Sequence, residues 1–477
     1  MSDPIRLAFI GLGRWAHVLA RAVRRGDEID IVNCFSRSEE KRSEFQSTFR
    51  VGRSSATLEE LLADDQVEGV IVTTPNDTHR DVITTCLMAG KPVYTEKPIS
   101  TTLDDAVAIR EVVRGTGLTF AVGHSARRLS GSRVMKQWIE DGSLGGLSMV
   151  ETNFSNERGL ELTPDTWRWY NDKAPGGPFT QLGVHHTDNM QYLAGPIRAV
   201  TAHTRKVFTK AEVPDTVMAI MDFESGALGY MGTGWASPGV YTINLQGTKA
   251  NLRYDLDFTH WDESHEADDY SSLVSQEMGQ VSRSPVDLPR TDMFLEQLVE
   301  FGQAARGQAQ VEVGVDEAVS ALAAVHAGIL SAPRGCAMVE VAEVIDAAAK
   351  GCPARIRPRG RRRGTGAGPS PSRSTTAVAA PTRTSSRRPR TRSTTTRRMR
   401  TPLGTKRLHR RTRPRPGSGP SAPRGVDSSR PNRLHAHLRC ASVPLPRWEA
   451  GRGRGLSRTT PSASEGPGSD DPGGDGS

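Results

Sequence analysis

The stretch "VYTEKPIS", residues 93–100, ends an apolar run with an acid, a base and a proline: Glu96, Lys97 and Pro98. A lysine at the carboxyl end of a parallel strand faces the crevice where ligands bind. Its ammonium can hydrogen-bond an oxygen that gains charge during a reaction. The same three residues also suit a strand that simply ends in solvated charge. A second dense stretch, "GGPFTQLGVHHTDNMQYL" at residues 176–193, spaces Gln181, His185 and Asp188 by four and three. On a helix those three share one face. A histidine there can exchange a proton near neutral pH, although a buried histidine on such a face is more often structural.

Other stretches suggest a nucleotide. Gly11, Gly13 and Ala16 form G-x-G-x-x-A between an apolar run and a helical pattern, with Arg14 and Trp15 inside it. The first glycine permits a tight turn, the second lets a diphosphate approach the backbone, and the small third residue lets helix and strand pack closely. The phosphates then meet a helix N-terminus. Ser36 and Arg37 stand where an acid would hold the ribose 2′-hydroxyl. A hydroxyl and a guanidinium there suit a 2′-phosphate, which favours NADP over NAD. "TTPNDTH", residues 73–79, ends another apolar run with polar residues that face the same crevice, among them Thr74, Pro75 and Asn76. His79 opens the following helix, either as a cofactor contact or as a structural hydrogen-bonding group.

These residues need a scaffold. Residues 1–123 alternate short apolar runs with helical patterns. "TLEELL" carries a capping box, with Thr57 at the cap and Glu60 three later, and Thr102 caps a further helix. That rhythm predicts a parallel, doubly wound sheet with helices on both faces, an α/β Rossmann domain. Residues 124–350 change to long alternating segments such as "TVMAIMDF" and "YTINLQGT". They predict an α+β domain with an open, mainly antiparallel sheet, one face packed and one available, followed by helices.

Charge is unevenly spread. Residues 351–477 hold 29 Lys+Arg against 6 Asp+Glu, whereas residues 1–350 hold 33 against 48. The acidic body is globular in composition. The basic tail is rich in Arg, Pro, Ser, Thr and Gly, cannot bury enough apolar surface to offset its chain entropy, and reads as disordered. It is either an arm of no specific role or an out-of-frame extension. No aromatic residue interleaves with its arginines before Trp448, so nucleic acid is an unlikely partner. The five cysteines form no C-x-x-C pair, which argues against a zinc site or a disulfide framework. The start of the chain lacks signal-peptide features, and no apolar run long enough to span a bilayer is evident. A reducing cytoplasm with no membrane partner is the expectation.

Taken together, the motifs resemble the Gfo/Idh/MocA family, the glucose-fructose oxidoreductase and inositol dehydrogenase group. The matching residues are the G-x-G-x-x-A, then Thr74-Pro75-Asn76 with His79, then "AGKPVYTEKPIS" and "GHSARR". Gly142-Ser143-Leu144-Gly145, "WRW", "PGGP" and "LGVHHTD" follow in order, and the likeness runs over residues 5–345. The resemblance implies NAD(P)-linked hydride transfer on a sugar, polyol or related compound, and homo-oligomers built through the C-terminal sheet. It implies catalytic roles for Lys97 and His185, with the Lys97–Pro98 bond often cis. Gln181 stands where many relatives carry Asp, so an Asp-assisted proton relay is in doubt while an orienting role for the amide remains. Gly11, Gly13, Arg14, Trp15, Ala16, Ser36, Arg37, Thr74, Pro75, Asn76, His79, Glu96 and Lys97 are the expected cofactor contacts. Arg127, Arg168 and Asp188 are weaker candidates for the substrate wall, and no metal ligand is expected. Two other activities fit the same motifs: glycoside cleavage with transient use of NAD, and non-catalytic sensing of NADP.

Overall fold

The computed structural model describes residues 3–351, and the basic segment expected to be disordered lies outside the described residues. Six short strands come first: β1 (Ile5–Ile10), β2 (Ile29–Phe35), β3 (Arg53–Ser55), β4 (Gly69–Val72), β5 (Val93–Thr95) and β6 (Phe120–Val122). They form one parallel sheet in the order β3-β2-β1-β4-β5-β6. The order reverses between β1 and β4, so the crevice outside their carboxyl ends is the ligand position of a doubly wound sheet. The glycine turn follows β1, and "TTPNDTH" follows β4. β3 was not expected, because three residues are too short to carry a period.

Local chemistry sets the helix boundaries. Ala16, Val18, Leu19, Ala22 and Val23 bury one face of the helix Arg14–Val23 against this sheet. The hydroxyls of Thr57 and Thr102 accept the Glu60 and Asp105 backbone N–H groups, as expected of caps. The Glu60 carboxylate reaches one residue further than a capping box does, to the N–H of Ala56.

The second sheet has nine strands: β7 (Leu147–Ser155), β8 (Ile197–Arg205), β9 (Thr216–Phe223), β10 (Leu228–Gly234), β11 (Val240–Gly247), β12 (Ala250–Leu256), β13 (Ser271–Glu277), β14 (Ser284–Val286) and β15 (Val339–Glu340). The order is β14-β13-β12-β11-β7-β10-β9-β8-β15, antiparallel throughout except for β7 with β10. Alternation of buried and exposed residues along β9 and β12 follows the period of two that the sequence displays. The three strands that sequence reading missed, β13, β14 and β15, are edge or near-edge strands in this order.

The last helices pack back onto the first sheet. Helix Met293–Ala305 lies on β1 and on the helix Arg14–Val23. A Cβ placed on Gly302 would come within 2.7 Å of Ile5, so only glycine permits that approach. Val122 donates its N–H to the Val313 carbonyl, which fixes the entry to helix Val315–Ser331 beside β6. Residues far along the chain thus complete the cover of the N-terminal sheet and hold the crevice from both sides. By length and composition one helix, Val315–Arg334, could cross a membrane, a feature sequence reading did not flag. Most of that helix is buried, and it packs against β8, the helix Val184–Ala194 and the helix Leu103–Thr116, which is the position of a core helix.

Candidate active site

The crevice opens where β1, β4, β5 and β6 end. Gly11 has φ +88°, and a Cβ there would sit 2.8 Å from the Thr74 backbone nitrogen, so the turn requires glycine. At Gly13, the residue before helix Arg14–Val23, a Cβ would meet nothing within 4 Å. That open space, at a helix N-terminus whose first N–H groups have no helical partner, fits the diphosphate of a dinucleotide. Ser36 follows β2 with Arg37 beside it, exposed, and no carboxylate occupies the strand end. Arg42, which sequence reading missed, donates to the Ser36 carbonyl at 2.6 Å and adds a second cation there.

His79 ties two loops together. Its Nε2 faces the Thr74 carbonyl at 3.0 Å, and its Nδ1 faces the carbonyls of Pro98 and Ile99 at 3.2 and 3.3 Å. Burial lowers its pKa, and the three carbonyls push back. The ring is a staple between the turn after β4 and the turn after β5, so the structural role left open by the sequence is the one its geometry displays. Asn76 lies in the single turn Asn76–Thr78 and makes no side-chain hydrogen bond within the described residues, which leaves its amide free for a ligand.

Glu96 and Lys97 follow β5, and the Lys97–Pro98 peptide is cis. Glu96 is buried. Its carboxylate accepts from the Tyr94 hydroxyl at 3.1 Å and from the Lys97 backbone N–H at 3.3 Å. Burial raises the Glu96 carboxyl above its usual range, while Lys97 and the Trp15 indole hold it back. Gly123 makes room for this arrangement, since a Cβ there would lie 2.3 Å from the Tyr94 hydroxyl and 2.7 Å from Glu96. Trp15 packs edge-on against Phe294 at 5.5 Å, which turns its ring toward the crevice floor and away from solvent. Lys97 Nζ lies 3.4 Å from the Gln181 carbonyl oxygen. Burial lowers the Lys97 ammonium to about 8; Glu96 opposes that shift, and Arg158 and Arg168 add to it.

The opposite wall comes from the second stretch. Residues Phe179–Gly183 form a wider π turn that runs into the α-helix Val184–Ala194, so the expected single helix face starts with an irregular turn. Gln181 Nε2 and His185 Nδ1 are both buried without a hydrogen-bond partner within the described residues. His185 and His186 stand side by side in sequence and both pack on Phe154, at 5.6 and 6.0 Å between ring centres, but differ in their other neighbours. His186 packs on Tyr241 at 4.9 Å between ring centres. His185 packs on Trp261 at 5.3 Å and is close enough to Lys97 and His124 to feel their charges. Burial, with those charges and His186, holds the His185 pKa well below its usual value, so the ring is neutral at pH 7.

Some expected wall residues are engaged elsewhere. Arg127 and Asp188 form a buried bidentate ion pair, with both contacts at 2.7 Å. That pair binds the turn after β6 to the helix Val184–Ala194 and leaves neither charge open to a substrate. Arg168 lies over the Trp167 ring at 4.2 Å, and its Nε is buried without a partner.

Sequence reading missed four further participants. His124 follows β6, is buried, has both ring nitrogens unpartnered, and is pushed down to about 4 by burial, with Asp188 opposing. Its place at a parallel strand's carboxyl end, inside "GHSARR", was a usable signal. Trp261 and Asp262 come from the segment after β12, and Asp262 pairs with Arg14. Arg158 stands in the short helix Arg158–Glu161 after β7. No sequence pattern marks these last positions as site residues.

Comparison with known proteins agrees with this arrangement. A model described as "Oxidoreductase family, NAD-binding Rossmann fold" matches residues 5–124, and one described as "GFO/IDH/MocA C-terminal domain" matches residues 132–253. The structure of a candidate NADPH-dependent oxidoreductase from Desulfitobacterium hafniense shares 42% identity and superposes with a TM-score of 0.71, over 72% of this chain and 100% of that one. The 1,5-anhydro-D-fructose reductase of Ensifer adhaerens is 26% identical over 50% of this chain and 75% of its own. The scyllo-inositol 2-dehydrogenase (NADP(+)) of Bacillus subtilis is 28% identical over 46% of this chain and 60% of its own.

The His79 staple yields a direct test. Its replacement by Ala leaves buried carbonyls without a donor, which costs about 1–3 kcal/mol. Denaturant unfolding of His79→Ala is expected to show that loss, together with weaker NADPH binding as the Thr74 loop loosens. Unchanged values for both would remove the staple role.

Proposed function

The chain belongs to the Gfo/Idh/MocA oxidoreductase family, and on that premise we propose that it moves hydride between a nicotinamide cofactor and a carbinol or keto carbon of a sugar, polyol or related compound. The observation that carries this reading is the convergence of Lys97 Nζ, the unpartnered Gln181 Nε2 and the neutral His185 ring on one crevice beside the glycine turn. Buried polar groups without partners are costly unless a ligand satisfies them.

The bound nicotinamide supplies the hydride acceptor or donor. The residues divide the proton work by their pKa values. In oxidation, neutral His185 accepts the hydroxyl proton, and the Lys97 ammonium donates a hydrogen bond to the oxygen as negative charge develops. In reduction the same path runs in reverse: the Lys97 ammonium donates its hydrogen bond to the carbonyl oxygen, and the proton returns to that oxygen from His185. The Gln181 amide orients a substrate oxygen and, being neutral, takes no proton. Gly11, Gly13, Arg14 and Ala16 receive the diphosphate end, and Asn76 and Thr74 line the ribose and nicotinamide end. Arg37 and Arg42 beside Ser36 support NADP over NAD, because two cations and no carboxylate meet the 2′ position.

A homo-oligomer through the second sheet is proposed as well. Met218, Ile220 and Leu228 are exposed on the outer face of β9 and β10, and Ile220 pairs with Tyr230. A contiguous apolar patch of this kind marks an association surface.

Three expected outcomes follow from these assignments. Lys97→Met lowers kcat by roughly 10²–10⁴-fold, and wild-type kcat/KM for reduction falls as pH rises through about 8, where the ammonium is lost. A flat profile, or full turnover without Lys97, would refute the donor role. Arg37→Glu removes a charge-assisted contact of about 1.5–3 kcal/mol, so the Kd for NADPH should rise about tenfold or more while that for NADH does not; equal changes would point away from 2′-phosphate recognition. Ile220→Glu is expected to shift the mass measured by light scattering toward the monomer, and an unchanged mass would exclude this face.

A further inference from the structure

Four cations gather at the open side of the crevice: Arg14, Lys97, Arg158 and Arg168. Two of them have an acid at hand. Arg14 pairs with Asp262, and Lys97 has Glu96 beside it. Among the described residues no carboxylate lies within ion-pair distance of Arg158 or Arg168, and neither side chain makes a hydrogen bond. Glu157, Glu161 and Asp262 favour the charged form of Arg158 without pairing with it. Both arginines are half-buried, and Arg168 Nε is fully enclosed without a partner. Burial lowers Arg168 to about 10, and Arg158 and Arg14 push it the same way. The chain therefore holds these two guanidinium groups against burial and mutual repulsion, with no acid paired to either among the described residues. Such an arrangement is sustained when a ligand brings the missing negative charge.

The positions say which ligand end that is. Arg168 stands in the turn Trp167–Trp169, with its guanidinium carbon over the Trp167 ring at 4.2 Å. A cation–π contact of this kind leaves the guanidinium N–H groups without an acceptor of their own. Arg158 follows the end of β7 in the second sheet. Both act on Lys97, the group proposed to hold the reacting oxygen. Arg14, at the helix N-terminus of the diphosphate end, acts on both as well.

We infer that Arg158 and Arg168 receive an anionic group, a carboxylate or phosphate carried by the substrate, and that the crevice selects acidic sugars or polyols over neutral ones. This inference rests on the oxidoreductase reading of the same site and narrows its substrate class. The competing source of the same chemistry is the cofactor diphosphate.

Calorimetry on the full chain saturated with NADP separates the sources, with D-gluconate, D-glucose 6-phosphate and inorganic phosphate as anionic probes and D-glucose as the neutral one. At least one anionic probe is expected to bind about tenfold or more tightly than D-glucose. Arg158→Gln and Arg168→Gln are expected to abolish that preference, and Arg168→Lys to restore part of it. NADPH affinity, measured by fluorescence, should change little and doubles as the check that each variant is folded. A loss falling on NADPH instead would assign the pair to the cofactor diphosphate and overturn the inference. Equal binding of all four probes to the wild type, or anion binding indifferent to both arginines, would overturn it too. The preference should persist in Lys97→Met, whose turnover is expected to be strongly reduced. Failure of the proposed reaction would therefore show in turnover while the anion site still registered by calorimetry.

Discussion

The structure turns on one constraint: a lysine must keep an ammonium in a crevice that is expensive for charge. Water is largely excluded around Lys97, which lowers its pKa to about 8, and Glu96 supplies the opposing charge from the same turn. Glu96 is itself buried and survives there because Tyr94 and the Lys97 backbone N–H both donate to it. Tyr94 has room for that contact because Gly123 offers no side chain. A reactive amine near neutrality is thus the product of strand packing two residues upstream and of a glycine on the neighbouring strand. None of these groups acts alone, since removing any one leaves another buried and unsatisfied.

The crevice also depends on parts of the chain that are far away in sequence. The turn after β5 is joined to the turn after β4 through His79. The turn after β6 is joined to the helix bearing His185 through Arg127 and Asp188. The last helices return to cover the first sheet, with Phe294 against Trp15 and Gly302 against Ile5. These ties are buried and polar or closely packed, so they fix geometry to the fraction of an ångström that proton and hydride transfer require. Two residues first considered as substrate contacts, Arg127 and Asp188, serve this framework.

The charge arrangement separates the crevice into ends. Among the described residues no carboxylate lies within ion-pair distance of Arg37 and Arg42 after β2, or of Arg158 and Arg168, which act on Lys97. Between them the glycine turn offers backbone N–H groups. The neutral His185 and the buried amide of Gln181 lie beside Lys97. An acidic body that still concentrates positive charge in one cleft guides anionic ligands to that cleft.

By itself the sequence determined the scaffold. Glycine spacing, apolar runs and caps such as Thr57 and Thr102 are local signals, and the doubly wound sheet, the antiparallel second sheet and most strand limits follow from them. It also singled out Lys97, Gln181 and His185 as the proposed reacting groups, because each lies in a motif whose neighbours announce a strand end or a helix. Only the tertiary structure decided what those positions meet. It chose His185 over His186 by turning one ring toward Lys97 and the other toward Tyr241. It brought His124, Arg158, Trp261 and Asp262 to the crevice from three separate segments, and it enlisted His79, Arg127 and Asp188 for internal ties. Such outcomes depend on which groups become neighbours when separate segments of the chain pack together. Periodicity and spacing carry no record of that, because they describe a residue's own element and not the surface packed against it.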